Sequence, residues 1–217
     1  MNPRIVIVDY HMGNLFSVQQ AFSYWGYETI VTHDKDIIES AECLILPGVG
    51  AFGDAMKTLT KFDLVHPIID HVQAGKPFMG ICLGLQLLFS ESEEFGSHRG
   101  LNLIPGTVKK FPLQDDLGNK NIIPQINWNK IYNYVNPNWN TTPLKKCEKG
   151  DFMYFVHSYY VDPDDKTSIA SFSEYGGIEY CSSVIKDNIF ACQFHPEKSA
   201  EKGLNIIKEF LIDNYGK

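Results

Sequence analysis

The sequence lacks any run that could cross a bilayer as a helix: its longest apolar stretch, Phe78 to Phe89, is interrupted by glycines and Gln86 and is too short. Basic charge is also scarce. Nineteen Lys and Arg stand against 26 Asp and Glu, for a formal net charge of -7, and no basic face is left to neutralise phosphates, which argues against nucleic acid as a partner. Cysteine is sparse and odd in number. Cys43, Cys82, Cys147, Cys181 and Cys192 show neither CxxC spacing nor the density of a secreted disulfide scaffold, so a reducing compartment is expected. The opening Met1-Asn2-Pro3-Arg4 leads straight into Ile5-Val6-Ile7-Val8 without the charged leader, long apolar region or cleavage site of a signal peptide, which points to the cytoplasm. No repeat, low-complexity tract or linker divides the 217 residues, and a single domain over 1–217 is expected.

The first half alternates short β-branched runs with amphipathic stretches, the pattern of a parallel sheet with crossover helices. Strands are expected at 4–9, 27–32, 43–46 and 77–81. Leu15, Val18, Phe22 and Trp25 fall three and four apart, a helical stripe closed by Gly26. Helices are also expected near 52–60 and 63–74, the second stopped by Gly75-Lys76-Pro77. Beyond residue 100 the texture shifts to strand-like pieces at 107–111, 121–126, 130–134, 152–156, 168–172, 178–185 and 189–194, with a loop-like segment at 135–150. Leu204, Ile207 and Leu211 mark a closing helix.

Three patterns carry chemistry. Gly48-Val49-Gly50-Ala51-Phe52-Gly53 matches the GxGxxG dinucleotide fingerprint, but after the third strand rather than the first and with no acidic residue ending a following strand. An ordinary glycine turn is the better reading than nucleotide binding, and a third is that Pro47-Gly48-Val49-Gly50 offers bare backbone amides to a reacting group. Gly80-Ile81-Cys82-Leu83-Gly84 is a GxSxG nucleophile elbow with cysteine in place of serine. The flanking glycines leave room for a sharp strand-to-helix turn, and the amino end of a helix favours the thiolate. A cysteine nucleophile needs a base and the base needs an orienting group. His195-Pro196-Glu197 supplies both if the chain runs extended, since residues two apart then project to one side. His66 and His71 are five apart and complete no ligand set, so no metal is expected. His157 ends an apolar run and reads equally as a site residue or a strand end.

Taken together, PGVGAFG at 47–53, GICLGLQLLF at 80–89, FVHSYYV at 155–161 and QFHPEKS at 193–199 resemble the triad-type glutamine amidotransferases. They are most similar to the glutaminase subunits of imidazole glycerol phosphate synthases, with Asp9-Tyr10 and Met12-Gly13-Asn14-Leu15 also matching. The resemblance implies a flavodoxin-like α/β fold, a mostly parallel sheet flanked by helices, with additional strands in the C-terminal half. It implies Cys82 as nucleophile, His195 as proton relay and Glu197 as its orienting carboxylate. Backbone amides of Val49, Gly50 and Leu83 would hold the oxyanion, and Gly48, Gln86, Glu94, His157, Ser158 and Tyr159 would recognise glutamine. No cofactor is implied. The resemblance also implies a partner, a (β/α)8-barrel cyclase subunit forming a heterodimer and receiving ammonia, with Pro124, Trp128 and Lys198 as interface candidates. Two segments depart from the family pattern: His11 stands where glycine is usual, and Gln125-Ile126-Asn127 where His-Met-Gly is usual. Two alternatives are the same chemistry serving a sugar-aminating synthase and a non-catalytic dinucleotide-binding module.

Overall fold

Short strands with apolar side chains on both faces build the centre of the protein. In β1 (Ile5–Val8) every residue is buried; Val6 and Val8 pack into one core and Ile5 and Ile7 into another on the opposite face of the sheet, the alternation a two-residue repeat dictates. The same division holds along β14 (Ile189–Cys192), where Ile189 and Ala191 face one core and Phe190 and Cys192 the other. A strand buried on both faces needs helices on both. α1 (Leu15–Tyr24) and α6 (Ala200–Tyr215) supply one layer through Val18, Phe22, Ile207 and Leu211. α2 (Lys35–Glu39), α3 (Phe52–Lys61), α4 (Val65–Gln73) and α5 (Leu83–Leu87) supply the other through Ile38, Leu59, Ile68 and Leu85. These elements come from a computed structural model that describes residues 3–115, 117–133 and 138–216.

With β2 (Thr29–Thr32), β3 (Cys43–Gly48) and β4 (Phe78–Cys82), the parallel part of the sheet runs β2-β1-β3-β4-β14. Counting β14 as the fifth strand, this is the flavodoxin-like order 2-1-3-4-5, in which sites form at the carboxyl ends of the strands. β14 then pairs antiparallel with β13 (Ile178–Lys186), and the sheet continues through β11 (Tyr159–Pro163), β7 (Ile104–Lys110), β5 (Phe89–Ser92) and β6 (His98–Arg99). β12 (Ile169–Tyr175) pairs with β13 and with β9 (Tyr132–Asn133), while β8 (Gln125–Lys130) and β10 (Phe152–His157) form a separate ribbon. Among the described residues no helix is long and apolar enough to cross a membrane.

The structure changes several expectations. The strand expected at 121–126 forms instead over Gln125–Lys130, where it pairs with Phe152–His157. The helix that follows the elbow, expected from the sequence to carry Leu85, Leu88 and Phe89, is one short turn that ends at Leu87, and Phe89 opens a strand. β5, β6, β11 and α2 were not anticipated; β6 has only two residues and α2 five, too short for periodicity to register. Residue 134 of the expected strand 130–134 and residues 135–137 of the expected loop lie outside the described residues.

The tightest approach in the elbow is at Gly84. A Cβ there would stand 1.7 Å from the Leu46 carbonyl oxygen, whereas at Gly26, also in a turn, with φ at +80°, nothing lies within 4 Å. Gly84→Ala is therefore expected to lose about 3 kcal/mol of stability or more and Gly26→Ala about 1 kcal/mol, the cost of a left-handed alanine. Urea denaturation of the two variants measures the difference, and equal losses would show that the Gly84 contact constrains nothing.

Candidate active site

Three strand ends meet in the site. Cys82 closes β4 with φ 55° and ψ −108°, a strained conformation for a residue with a side chain. The glycines around it explain how that turn fits. A Cβ on Gly80 would come within 3.0 Å of Ala191 Cβ and of the Gly84 carbonyl oxygen, and one on Gly84 would collide with β3. The chain therefore leaves the sheet abruptly, with the sulfur at its carboxyl edge and the Leu83 amide at the start of α5, where helical amides have no partner within the helix.

His195 reaches the same edge from β14, three residues beyond the strand. Its amide donates to Tyr154 O at 2.9 Å, and Ser199 Oγ, which accepts from the Tyr154 amide at 2.9 Å, donates to His195 O at 2.6 Å. These bonds fix the backbone that carries the ring. His195 Nδ1 lies 2.8 Å from Glu197 Oε1, with both side chains buried. The pairing expected from sequence is present, but the extended geometry is not: Pro196–Lys198 forms a 3-10 turn, and that turn brings the carboxylate back onto the ring. With Nδ1 donating to Glu197, Nε2 is the free nitrogen, buried and with no partner in hydrogen-bonding geometry among the described residues. Burial opposes a charged ring, but the neighbouring Cys82 sulfur and the Glu197 carboxylate outweigh it and hold the His195 pKa above its ordinary value.

Cys82 is distinguished from the other four cysteines by its surroundings. All five thiols are free, and burial pushes Cys43, Cys147, Cys181 and Cys192 upward, away from the thiolate. Beside Cys82 lies Gln193, which opens the QFHPEKS motif but has no role assigned to it from sequence. Gln193 Nε2 points at Cys82 Sγ from 3.6 Å, and its Oε1 accepts from Gln86 Nε2 at 3.0 Å. Gln86 Nε2 also donates to Tyr159 O at 3.0 Å, so its amide anchors Gln193. The available signal was the spacing: Gln193 precedes His195 by two positions at the same strand end.

A pocket of about 220 Å³ opens over the sulfur, smaller than the roughly 300–1,000 Å³ of drug-sized sites and suited to a small metabolite. Val49, Gly50, Leu83, Gln86, Glu94, His157, Ser158 and Tyr159 line it, as does Pro124, which was expected on the outer interface. Gly48 sits next to it, paired with Cys82 across the sheet. Glu197 lines a different groove behind the imidazole, with Phe16 and Leu204. Trp128 and Lys198 are outside, both against Tyr154: the Trp128 ring lies 6.2 Å from the Tyr154 ring and Lys198 Nζ 6.0 Å over it, while the His195 ring is 6.3 Å from the same ring. His11 is not at the pocket; it packs edge-on against Phe62, 5.1 Å between centroids.

The glycine motif does not offer a phosphate cradle. Glu94 Oε2 accepts from the Phe52 amide at 2.6 Å, so a carboxylate already occupies the amino end of α3 where a pyrophosphate would bind, and the His98 ring covers Gly53. Burial raises the Glu94 pKa, with the Phe52 bond and nearby His98 acting against it. Among the described residues no group of three or more His, Cys, Asp or Glu could hold a metal.

A strained cysteine elbow, a histidine–carboxylate pair and a flavodoxin-like sheet define a class, and comparison agrees. The profile of glutamine amidotransferase class-I matches residues 6–214, and the chain belongs to that family. More particularly, it is 50% identical over 209 residues to the imidazole glycerol phosphate synthase subunit HisH of Syntrophotalea carbinolica, a match covering 95% of this chain and 98% of that one. It is 47% identical over 208 residues to the subunit of the same name from Aquifex aeolicus, covering 95% of each. Among solved structures, PurLQS from Thermotoga maritima superposes with a TM-score of 0.72 at 22% identity over the whole of both chains. A putative GMP synthase component from Thermoplasma acidophilum gives 0.70 at 16%, covering 100% of this chain and 96% of that one. These two share the fold.

The pocket also has a consequence for pH. His157 Nδ1 lies 2.8 Å from Tyr159 O and carries the proton, leaving Nε2 as a buried acceptor without a partner among the described residues. Burial, with the nearby His195, lowers the His157 pKa to about 4 despite the Tyr159 bond. An unfolded histidine titrates near ~6.5, so between that pH and about 4 the unfolded chain binds a proton that the folded chain refuses. Stability is complete above the upper limit and falls as pH drops through the window, by about 3 kcal/mol in all. His157→Gln, which binds no proton, is expected to flatten this acid limb in denaturant titrations at pH 5 and 7; an unchanged slope would show that His157 titrates normally.

Proposed function

We propose that this chain is the glutaminase subunit of an imidazole glycerol phosphate synthase, hydrolysing glutamine to glutamate and supplying ammonia to a cyclase subunit in histidine biosynthesis. The observation that carries the reading is the placement of Cys82, at a strained elbow over the pocket, beside a histidine whose far nitrogen is held by a buried carboxylate. His195 Nε2 takes the thiol proton, and Cys82 Sγ attacks the side-chain amide carbon of glutamine. The oxyanion is held by the amides of Leu83 and of the Val49–Gly50 turn, preorganised donors of the kind that stabilise such charge most. His195 returns the proton to the leaving nitrogen, ammonia departs, and a γ-glutamyl thioester remains. Water, deprotonated by the same nitrogen, releases glutamate and restores the thiol. Gln193 steadies the sulfur through its amide, and Gln86 acts by holding Gln193.

For substrate recognition, Glu94 is the one carboxylate lining the pocket among the described residues and suits the α-ammonium of glutamine. Ser158, Tyr159, His157 and Gly48 complete the shell. The partner is a (β/α)8-barrel cyclase, bound through the face carrying Trp128 and Lys198 as a heterodimer; Pro124 lies between that face and the pocket. Exposed Ile126, Trp128 and Phe152 give this face the apolar character of an interface. The reading includes residues 1–217 as one glutaminase domain, supported by the single sheet that joins β1 to β14, and a cytoplasmic location, supported by five free cysteines. The relatives' name favours imidazole glycerol phosphate synthesis over the sugar-aminating alternative.

Glutamate release by the chain complexed with its cyclase tests the chemistry. Cys82→Ala is expected to lower the rate at least about 10³-fold and Glu197→Gln about 10²-fold or more; wild-type release no faster than Cys82→Ala would sink the reading. A separate measurement addresses the interface. The pair Trp128→Ala and Lys198→Ala is expected to weaken binding of the purified cyclase at least tenfold in a titration while leaving the melting temperature unchanged, and undiminished affinity would place the interface elsewhere.

A further inference from the structure

Tyr10 lies two positions beyond β1, and its side chain is fully buried. Its hydroxyl has no hydrogen-bond partner among the described residues. A buried polar group left unpaired is costly and rare, and a native one calls for a use in another state. Its position suggests that use. Gly48 has no side chain where one would meet the phenol: a Cβ there would lie 2.0 Å from Tyr10 Oη and 3.3 Å from Cζ. The phenol thus lies against the turn from its buried side, while Val49 and Gly50 line the pocket over Cys82 on the other. Burial, and secondarily the charge of Cys82, raises the phenol's pKa, so the hydroxyl keeps its proton and remains a donor.

The Gly48–Val49 peptide joins the glycine that faces the phenol to the first of the two residues that line the pocket with Cys82. In a trans peptide the carbonyl and the N–H point in opposite directions. A donor that holds the Gly48 carbonyl toward the buried side therefore turns the Val49 N–H toward the pocket. We propose that Tyr10 is a positioning residue of the oxyanion turn, its hydroxyl donating to the Gly48 carbonyl in the arrangement that presents the Val49 amide to the tetrahedral intermediate. Gly48 is required by the same contact, since any side chain there would displace the phenol. Gly50, with φ +106° and Met12 Cε 2.8 Å from where its Cβ would stand, lets the turn adopt this arrangement. The inference rests on the glutaminase reading of the site.

Tyr10→Phe in the full chain, assayed with its cyclase, tests it. The expected result is a fall in kcat for glutamine hydrolysis of tenfold or more, with KM for glutamine within twofold of wild type. Alkylation of Cys82 by iodoacetamide, which needs no oxyanion donor, is expected at the wild-type rate, and the melting temperature is expected to be no lower because an unpaired hydroxyl has been removed. A kcat within twofold of wild type would overturn the proposal. So would a loss of kcat matched by slower alkylation or by a lower melting temperature, since the tyrosine would then support the nucleophile or the fold. A wild-type complex that releases no glutamate would instead overturn the glutaminase reading beneath it.

Discussion

The site depends on one crowded turn. Cys82 can stand at the edge of the sheet in a left-handed conformation only because β4 passes into α5 against the Leu46 carbonyl of β3, with no side chain on Gly84 to keep the backbones apart. The strain at Cys82 is local and is overcome by the packing of Leu83, Leu85 and Leu87 into the core beneath it. Everything that acts on the sulfur is placed relative to this turn. β14 pairs with β4 in parallel register, Cys192 opposite Ile81, so that the residues following β14 emerge beside the elbow. β3 pairs with β4 on the other side, Gly48 opposite Cys82, which sets the glycine turn against the pocket.

Burial does different work on each polar group of the pocket. It would strip His195 of its charge, but Glu197 and the sulfur act together against it, and the ring's pKa is raised. His157 has only a carbonyl for support and is held neutral, so its Nε2 accepts and does not donate. Neighbouring imidazoles with opposite shifts are what a site uses to separate a proton carrier from a fixed acceptor. Glu94 is caught between burial and the Phe52 amide, which makes it both a cap for α3 and a carboxylate facing the pocket. One edge of the sheet thus gathers a thiol, a histidine–carboxylate pair and a polar shell.

Much of the fold was legible in the order of residues. The β-branched runs of the first half and the stripes Val18, Phe22 and Ile207, Leu211 form strands and helices close to where their periodicity places them. The second half is less legible, because a two-residue strand such as His98–Arg99 and a five-residue helix such as Lys35–Glu39 carry too few repeats to show a period. The elbow was legible because its glycines answer a local steric demand. The His195–Glu197 pair was legible in its residues and not in its geometry, since Pro196 suits an extended strand and instead starts a turn. The roles of Gln193 and Tyr10, though both fall within matching motifs, and the capping role of Glu94 stayed hidden; each depends on a neighbour far away in the chain.

Local chemistry along the chain settles the inventory: which thiol has glycines on both sides, which histidine has a carboxylate two residues on, where side chains are absent and where apolar faces lie. These are consequences of local sterics and periodicity, and they act over a few residues. Which groups meet is settled in three dimensions. Gln193 reaches a sulfur 111 positions earlier, and Glu94 caps a helix 42 positions before it. Such encounters are set by strand order and by the close packing of two cores, which no local pattern encodes. The phenol of Tyr10 shows the difference most clearly: in the sequence it is an aromatic after a strand, and in the fold it is a buried donor, without a partner among the described residues, pressed against the turn beside Cys82.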